Sequence, residues 1–316
     1  MVAAEYDLVV CAIERDLPVL EIAIPYMWRF LDPRHLVLIA SSPCLDRFST
    51  KYHDAEHKND LCLVDEDKVA PGLTLNYVRS LLAARGANPA RGGWYFQQML
   101  KLCYSLNSMA DDYYLVWDAD TIPLRPMDFF DETGRVFLEK SSEFNPSYFT
   151  TMKRLIGLDK SKPYSFISEH MMFEKTVVTQ LLALVCGQDG PSGKVVAERI
   201  ISAIDVGPLN ASGFSEFETY GTYVMSHFSE HYLVRALPSQ RQGVLIYGRQ
   251  PKPQDLFALS RRYYWASFEA WPVTSVKTRV KRFAWSALGS VEAWAARRLD
   301  SHMYKEFLDI TKKDEA

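Results

Sequence analysis

The sequence predicts an α/β protein in which a mostly parallel sheet is flanked by helices. From the amino terminus to Asp118, short apolar runs of strand length alternate with longer segments whose apolar residues recur at helical spacing. Strands that alternate with helices are joined by crossover connections, which favour parallel pairing. A chain of 316 residues with 48% hydrophobic content can bury the core of one large domain of this class.

The predicted elements follow from these runs, taken in chain order. We predict strands at 8–13, 35–40, 61–64 and 113–117, and helices at 17–31, 73–86 and 94–109. Beyond residue 125 we predict a strand at 164–168, a helix at 171–185, a loop at 187–193 and short strands at 232–237 and 244–247. The chain from about Asp255 onward is predicted to be helical. We therefore expect a main domain over residues 1–250 and a helical carboxyl-terminal extension over 251–316.

Charge and cysteine content narrow the classes of function. The net charge of −3 argues against the basic surface that nucleic-acid binding requires, so we expect no nucleic-acid partner. The five cysteines form no C-x-x-C pair, which argues against a zinc site or a disulfide framework and favours a reducing compartment. A predicted strand begins close to the amino terminus, with no signal peptide and no apolar run of membrane-spanning length, so we expect a cytoplasmic location.

The extension carries a feature of its own between residues 275 and 299. Apolar residues recur there near helical spacing behind a basic cluster at 277–282. This pattern fits an amphipathic helix on the inner face of a membrane, but Glu292 and the small alanines favour the alternative, a helix packed on the domain with a solvated basic face. Peripheral membrane contact through 275–299 therefore stays an open expectation.

The ends of the predicted strands suggest where chemistry takes place. Because ligands of parallel sheets bind beyond the carboxyl ends of the strands, Asp16, Asp65 and Asp118 are expected at one edge. Asp118-Ala119-Asp120 follows an apolar strand, and two carboxylates so placed can hold one divalent cation against a diphosphate leaving group. The spacing alone is weak evidence, because Asp65-Glu66-Asp67 repeats it. Only the first triplet continues with a hydroxyl residue, an apolar residue and proline.

Three blocks of sequence, in order along the chain, carry a family resemblance. Residues 113–124 (YYLVWDADTIPL) resemble the D-x-D segment of GT-A fold glycosyltransferases. Residues 93–102 (GWYFQQMLKL) and 214–221 (FSEFETYG) resemble two further blocks of a bacterial DUF6492-type family of such enzymes. The resemblance implies a GT-A-like sheet and transfer of a sugar from a nucleoside-diphosphate sugar to a hydroxyl acceptor, on a glycan or a lipid-linked carrier. It also implies Mn²⁺ or Mg²⁺ as cofactor and a role in bacterial surface polysaccharide synthesis.

The same resemblance implies roles for individual residues. Asp118 and Asp120 are expected to bind the metal, with His227, or alternatively His231, as a third ligand. Candidates for contact with the nucleotide-sugar donor are Ile13, Arg15, Asp16, Asp65, Arg79, Gln97, Gln98, Lys101, Asp118 and Ala119. Each of these histidines and helix-face residues has a plainer interpretation as a packed or solvated side chain.

The catalytic base is expected among three glutamates. An inverting enzyme needs a carboxylate to take the proton of the acceptor hydroxyl, and Glu216 and Glu218 stand in the third block. Ser215 can cap a helix with Glu218 at its third position, which would make Glu218 structural and favours Glu216. Glu169 and His170 are expected to contact the acceptor or the transferred sugar, with Glu169 as a rival base. A glutamate at a predicted helix start can also simply favour the helix dipole.

Two other classes of function remain. A nucleotidyl- or phosphotransferase also pairs carboxylates with a metal on a parallel sheet, but it would normally carry a glycine-rich phosphate loop after the first strand. Residues 13–16 (IERD) form no such loop. A non-catalytic carbohydrate-binding protein would fit the aromatic content of 13%, although it would need no metal-binding pair.

Overall fold

The computed structural model describes residues 5–51, 60–269 and 301–312. The strands of the described residues are β1 (Asp7–Cys11), β2 (His35–Ala40), β3 (Leu61–Asp65), β4 (Tyr113–Asp118), β5 (Thr121–Pro123), β6 (Val136–Glu139), β7 (His170–Glu174), β8 (Tyr232–Arg235), β9 (Ser239–Gln240) and β10 (Trp265–Ser267). Their helices are α1 (Leu17–Leu31), α2 (Ser42–Lys51), α3 (Leu75–Ala84), α4 (Gly92–Cys103), α5 (Pro146–Ile156), α6 (Lys175–Cys186), α7 (Gly193–Ala203), α8 (Val206–Leu209), α9 (Glu216–His227), α10 (Gly243–Tyr247), α11 (Pro253–Ser260) and α12 (Ser301–Lys312).

The central sheet has the strand order β3-β2-β1-β4-β7. The first four strands are parallel, and β7 pairs with β4 in the antiparallel sense. Strands β1, β2 and β4 are apolar on both faces because helices cover both sides, as parallel sheets require. The α/β class with a mostly parallel sheet is confirmed, and β1 to β4 lie close to the predicted runs.

Helices α4 and α9 lie close to the carboxyl edge of this sheet. In the register of the sheet, Cys11 at the end of β1 lies beside Asp118 at the end of β4. The Gln97 side chain on α4 donates a hydrogen bond to the Cys11 carbonyl at 3.0 Å. Helix α9 begins beside α4, and Gly221 on α9 lies so close to Phe166 that a Cβ would stand 2.3 Å from the ring. The second half of α4 and the first turn of α9 therefore lie beside the end of β4.

The strand predicted at 164–168 and the helix predicted to start at 171 are wrong. The strand beside β4 is β7, whose residues 170–173 are buried, and the helix starts only at Lys175. The Ser165 side chain and the Phe166 amide instead donate hydrogen bonds to the Glu218 carboxylate. Both segments are apolar and short, so pairing with β4 decides which one is the strand.

The predictions for the carboxyl-terminal third need three corrections. Residues 244–247 belong to helix α10 and form no strand. Residues 265–267 form strand β10, which pairs with β5, so the predicted helical extension contributes a strand to the main body. The loop predicted at 187–193 ends at Gly193, where α7 begins after a Ser192 cap. The segment 275–299, with its predicted amphipathic helix, lies outside the described residues.

Helix α12 packs on the main body through aromatic rings. Phe307 lies 5.3 Å from Tyr26 on α1 and 5.6 Å from Phe257 on α11, measured between ring centroids. Among the described helices, none combines the length and the apolar character needed to cross a membrane.

Candidate active site

The segment Asp118-Ala119-Asp120 forms the turn between β4 and β5. The Trp117 indole donates a hydrogen bond across this turn to the Thr121 carbonyl at 2.8 Å. Ala119 is buried, whereas the side chains of Asp118 and Asp120 are half-buried. Because the turn breaks strand alternation, both carboxylates stand at the carboxyl edge of the sheet.

Lys101, from the block 93–102, links this turn to Glu216 in the block 214–221. Its ammonium donates to Asp118 Oδ1 and to Glu216 Oε1, each at 2.8 Å. The side chains of Lys101 and Glu216 are 3% and 2% exposed, whereas that of Asp118 is 30% exposed. Burial alone would lower the pKa of Lys101, but the charges of Asp118 and Glu216 outweigh it and raise that pKa. The Lys101 side chain is therefore a buried cation held between two carboxylates.

Glu216 occupies the first turn of α9, directly after the Ser215 cap. Burial raises the pKa of its carboxyl, and the Lys101 charge opposes that shift. The Gln98 side-chain amide also faces this carboxylate, which can accept a hydrogen bond from the amide nitrogen. Lys101 and Gln98 thus hold Glu216 in one orientation, and each of them lies on α4.

Glu169 lies on the other side of Asp118. Its backbone carbonyl accepts a hydrogen bond from the Asp118 amide at 2.9 Å. The Glu169 carboxylate is buried, accepts from the Trp265 indole at 2.8 Å, and pairs with Arg241 at 2.5 Å without the alignment of a hydrogen bond. Burial raises the pKa of this carboxyl despite the Arg241 charge.

Negative charge concentrates around Asp120. Burial, followed by the charges of Asp118, Glu269 and Asp16, raises the pKa of Asp120 well above its ordinary value. Ionised carboxylates crowded in this way repel one another, and a divalent cation would relieve that repulsion. The charge and oxygen chemistry of this edge therefore fit a hard divalent cation.

The predicted nucleotide-side residues are spread along the same edge. Asp16 precedes α1. Its pKa is raised mainly by burial, and the charge of the nearby Asp118 raises it further. Arg15 and Ile13 are exposed in the loop after β1. Arg79 is exposed on α3, with its side chain against Gly92.

The second D-x-D triplet has a structural explanation. Asp65 ends β3 and caps a short 3-10 turn, accepting a hydrogen bond from the Asp67 amide at 3.0 Å and from Ser42 at 2.8 Å. Strand β3 lies three strand spacings from β4, or about 14 Å away. Asp65 therefore shares the edge with Asp118 but cannot join it on one ion.

Glu218 is fully occupied by hydrogen bonds within the fold. Its carboxylate accepts from Lys160 at 2.7 Å, from the Ser165 hydroxyl at 2.7 Å and from the Phe166 amide at 2.9 Å. Its own amide donates to the Ser215 cap at 3.2 Å. These bonds support a structural role for Glu218, and we leave it out of the proposed catalytic set.

Two of the predicted site histidines, His170 and His227, are packed within the fold. His170 is buried in β7, stacked on Trp117 at 4.7 Å and edge-on to Trp265 at 4.6 Å, and burial lowers its pKa to about 3. His227 ends α9, about 16 Å along the helix from Glu216, and its Nδ1 lies 3.0 Å from the Tyr223 carbonyl. His227 therefore stands far from Asp118, which corrects its assignment as third metal ligand.

His231, the alternative third ligand, lies at the opposite end of the sheet from Asp118. It lines a small cavity with Tyr113 and Glu174, at the amino-terminal end of β4. A further group with potential metal ligands, Asp7, His35 and Asp111, also stands at that end. There Asp7 accepts from Tyr104 at 3.3 Å and lies 2.9 Å from His35 Nδ1, so its contacts tie β1 to β2.

Arg241, Trp265 and Glu269 are site residues that the sequence reasoning missed. Arg241 reaches Glu169 and also pairs with Glu143 at 2.8 Å and with Glu269 at 3.6 Å. The Phe268 amide donates to the Asp120 carbonyl at 2.7 Å and so brings the next residue beside the acidic turn. Arg241 lies between two predicted strands, and Trp265 and Glu269 lie in a segment predicted as helix, so no motif could have identified them.

Comparison with known proteins gives one family match and several structural similarities. The family described as a family of unknown function, DUF6492, matches residues 14–183. No curated protein sequence matches the chain.

Three solved structures are similar in outline. A galactosyltransferase LgtC in complex with donor and acceptor sugar analogs has a TM-score of 0.41 at 10% identity, over 92% of this chain and 95% of that one. Mouse xyloside xylosyltransferase 1 has a TM-score of 0.43 at 11% identity, over 83% and 97%. The glycosyltransferase GlyE of Streptococcus pneumoniae has a TM-score of 0.38 at 14% identity, over 93% and 64%. The family match covers more than half of the 316 residues, and the chain belongs to the DUF6492 family.

Proposed function

We propose that the chain is a metal-dependent glycosyltransferase that uses a nucleoside-diphosphate sugar as donor. The observation that carries the proposal is the position of Lys101, whose ammonium bonds Asp118 and Glu216. These three side chains come from the three separate sequence blocks that resemble glycosyltransferases of this type. Residues up to 115 positions apart in sequence (101 and 216) thus supply one compact polar cluster at the ligand-binding edge of a parallel sheet.

In this proposal Asp118 and Asp120 hold Mn²⁺ or Mg²⁺. When bound, the cation neutralises the charge that develops on the diphosphate leaving group. Lys101 holds the Asp118 carboxylate from the buried side. The exposed part of that carboxylate remains accessible at the carboxyl edge of the sheet. The nucleotide would lie toward β1 and β3, where Asp16 and Asp65 can accept hydrogen bonds from ribose hydroxyls or from a base N–H.

We propose Glu216 as the catalytic base and Glu169 as its alternative. The base takes the proton of the acceptor hydroxyl while that oxygen forms a bond to the anomeric carbon. The bond from the anomeric carbon to the phosphate oxygen breaks, and its electron pair leaves with the nucleoside diphosphate. Burial raises the pKa of either carboxyl, which makes its ionised form a stronger base. Lys101, Gln98 and Arg241 are positioning residues, since each of them is engaged with a carboxylate.

The acceptor would be a glycan or a lipid-linked carrier in bacterial surface polysaccharide synthesis at the cytoplasmic face of the membrane. This part of the proposal rests on the resemblance of the sequence blocks and not on a contact in the fold.

A donor screen tests the proposal. Purified protein is incubated with Mn²⁺ and a panel of UDP- and GDP-sugars, and the release of nucleoside diphosphate is measured. We expect release from at least one donor, about 100-fold or more slower for Glu216→Gln, with Glu169→Gln much less affected. The reverse order would assign the base to Glu169. Release of pyrophosphate or of a nucleoside monophosphate would instead favour a nucleotidyl- or phosphotransferase.

A further inference from the structure

A second cavity lies between the carboxyl-terminal end of α1, α11, α12 and the residues that follow β5, and none of the carboxylates of the candidate active site lines it. Its volume is about 620 Å³, within the range of about 300–1,000 Å³ that small-molecule sites occupy. Arg29, which lines it, stands in the last turn of α1, about 18 Å along the helix from Leu17 beside the carboxyl edge. A ligand in this cavity would therefore leave the candidate active site open.

The cavity combines an apolar floor with a basic rim. Phe30, Phe257 and Phe307 line its floor, and Met303, 54% exposed, stands at its mouth. Among the described residues, three arginines line it as well (Arg29, Arg125 and Arg261), against one acidic residue, Glu306. A free anion would use only the rim and an apolar ligand only the floor, whereas an anionic amphiphile would use both.

Arg125 shows that the basic rim is fixed in position. Its Nε donates to the Ser260 carbonyl, and its guanidinium lies 5.4 Å from the centroid of the Tyr264 ring. A guanidinium held in this way keeps a fixed fork of donors, which suits the oxygens of a phosphate group.

We propose that this cavity binds an anionic phospholipid, with the phosphodiester on the arginines and the acyl chains against the phenylalanine floor. The positive balance of the lining residues selects the anionic headgroup, and the aromatic floor selects the chain. This site is separate from that of the proposed transfer reaction, because none of the carboxylates assigned to that reaction lines the cavity.

Calorimetry with a short-chain lipid below its micelle concentration tests the cavity itself. We expect saturable binding of dihexanoyl phosphatidylglycerol to the full chain and at least about fivefold weaker binding of dihexanoyl phosphatidylcholine. Arg29→Gln and Met303→Asp should each weaken the binding of dihexanoyl phosphatidylglycerol by about fivefold or more. The matched controls Arg249→Gln and Met109→Asp alter exposed residues away from the cavity and should bind like wild type.

Other outcomes would overturn the proposal. Equal affinity for the two lipids would show that the arginines do not select the headgroup. Unchanged binding by both cavity variants would show that the lipid binds elsewhere. Inorganic phosphate that binds as tightly as the lipid would make the occupant a free anion. A variant with glutamine at Lys277, Arg279, Lys281 and Arg282 separates this site from the basic segment, because it should still bind the short-chain lipid. Urea unfolding of each variant verifies that the fold is intact.

Discussion

Replacing Lys101 by methionine would remove the buried cation between Asp118 and Glu216 while preserving most of the side-chain volume. Both ion pairs measure 2.8 Å, but their environments differ, since Glu216 is 2% exposed and Asp118 is 30% exposed. Breaking a buried pair from one side costs about 3–5 kcal/mol, and a partly exposed pair contributes no more than about 1 kcal/mol. We therefore expect Lys101→Met to lower the free energy of unfolding by about 3–5 kcal/mol at pH 7.

The sign of the pH dependence follows from Glu216. Without Lys101, burial acts on the Glu216 carboxyl unopposed, so its pKa in the folded variant rises further above that in the unfolded chain. A carboxyl with a raised folded pKa gains stability as the pH falls, so part of the loss should be recovered between neutral pH and about pH 4.5. The double variant Lys101→Met, Glu216→Gln should lose less than the sum of the single variants, because no buried charge is left at position 216.

Urea denaturation followed by tryptophan fluorescence measures these changes. Lys153→Met is the matched control, since Lys153 pairs with Asp159 at the same 2.8 Å but with side chains 60% and 72% exposed. It should cost less than about 1 kcal/mol. A Lys101→Met loss as small as that of the control, or a loss that grows as the pH falls, would refute the reasoning.

Three further variants test separate parts of the structure. Asp120→Asn should stabilise the metal-free protein at pH 7, because the raised pKa of Asp120 means that its ionised form opposes folding. This gain in stability should disappear below about pH 4. A variant that is less stable than wild type at pH 7 would contradict the prediction. Glu218→Gln should cost about 2–4 kcal/mol of unfolding free energy and leave metal-dependent nucleotide binding intact; loss of binding in a stable variant would make Glu218 functional. Gly221→Ala should destabilise by about 1–3 kcal/mol because its Cβ would meet the Phe166 ring at 2.3 Å, whereas Gly207→Ala has no neighbour within 4 Å and should be near neutral. Equal effects of the two alanines would count against the close approach of Gly221 to Phe166.

The first half of the fold was predictable because its signal is local. Strands β1 to β4 are apolar runs of strand length, and α1 spans the predicted 17–31. Parallel pairing then places Asp16, Asp65 and Asp118 at one edge without further information. The two D-x-D triplets were harder to tell apart. Aspartate is favoured both as the cap of a 3-10 turn and in a turn after a central strand.

The remaining parts depend on contacts between distant segments. Whether 164–168 or 170–174 pairs with β4 is decided by tertiary packing, since both segments are short and apolar. Gln97 and Lys101 are four residues apart, so they share a helix face, but nothing in the sequence indicated that Lys101 is buried between two carboxylates. Arg241 and Trp265 reach Glu169 from segments more than 70 residues away in sequence, so no local pattern could identify them.

The central claim is that Asp118 and Asp120 bind a divalent cation that holds a nucleoside diphosphate. Calorimetric titration of UDP and of GDP into the full chain, with and without Mn²⁺, tests it directly in wild type and in Asp120→Asn. We expect wild type to bind one of the nucleotides only when Mn²⁺ is present, and Asp120→Asn to lose that metal-dependent binding while it remains folded. Absence of nucleotide binding to wild type with Mn²⁺, or undiminished binding to Asp120→Asn, would contradict the account.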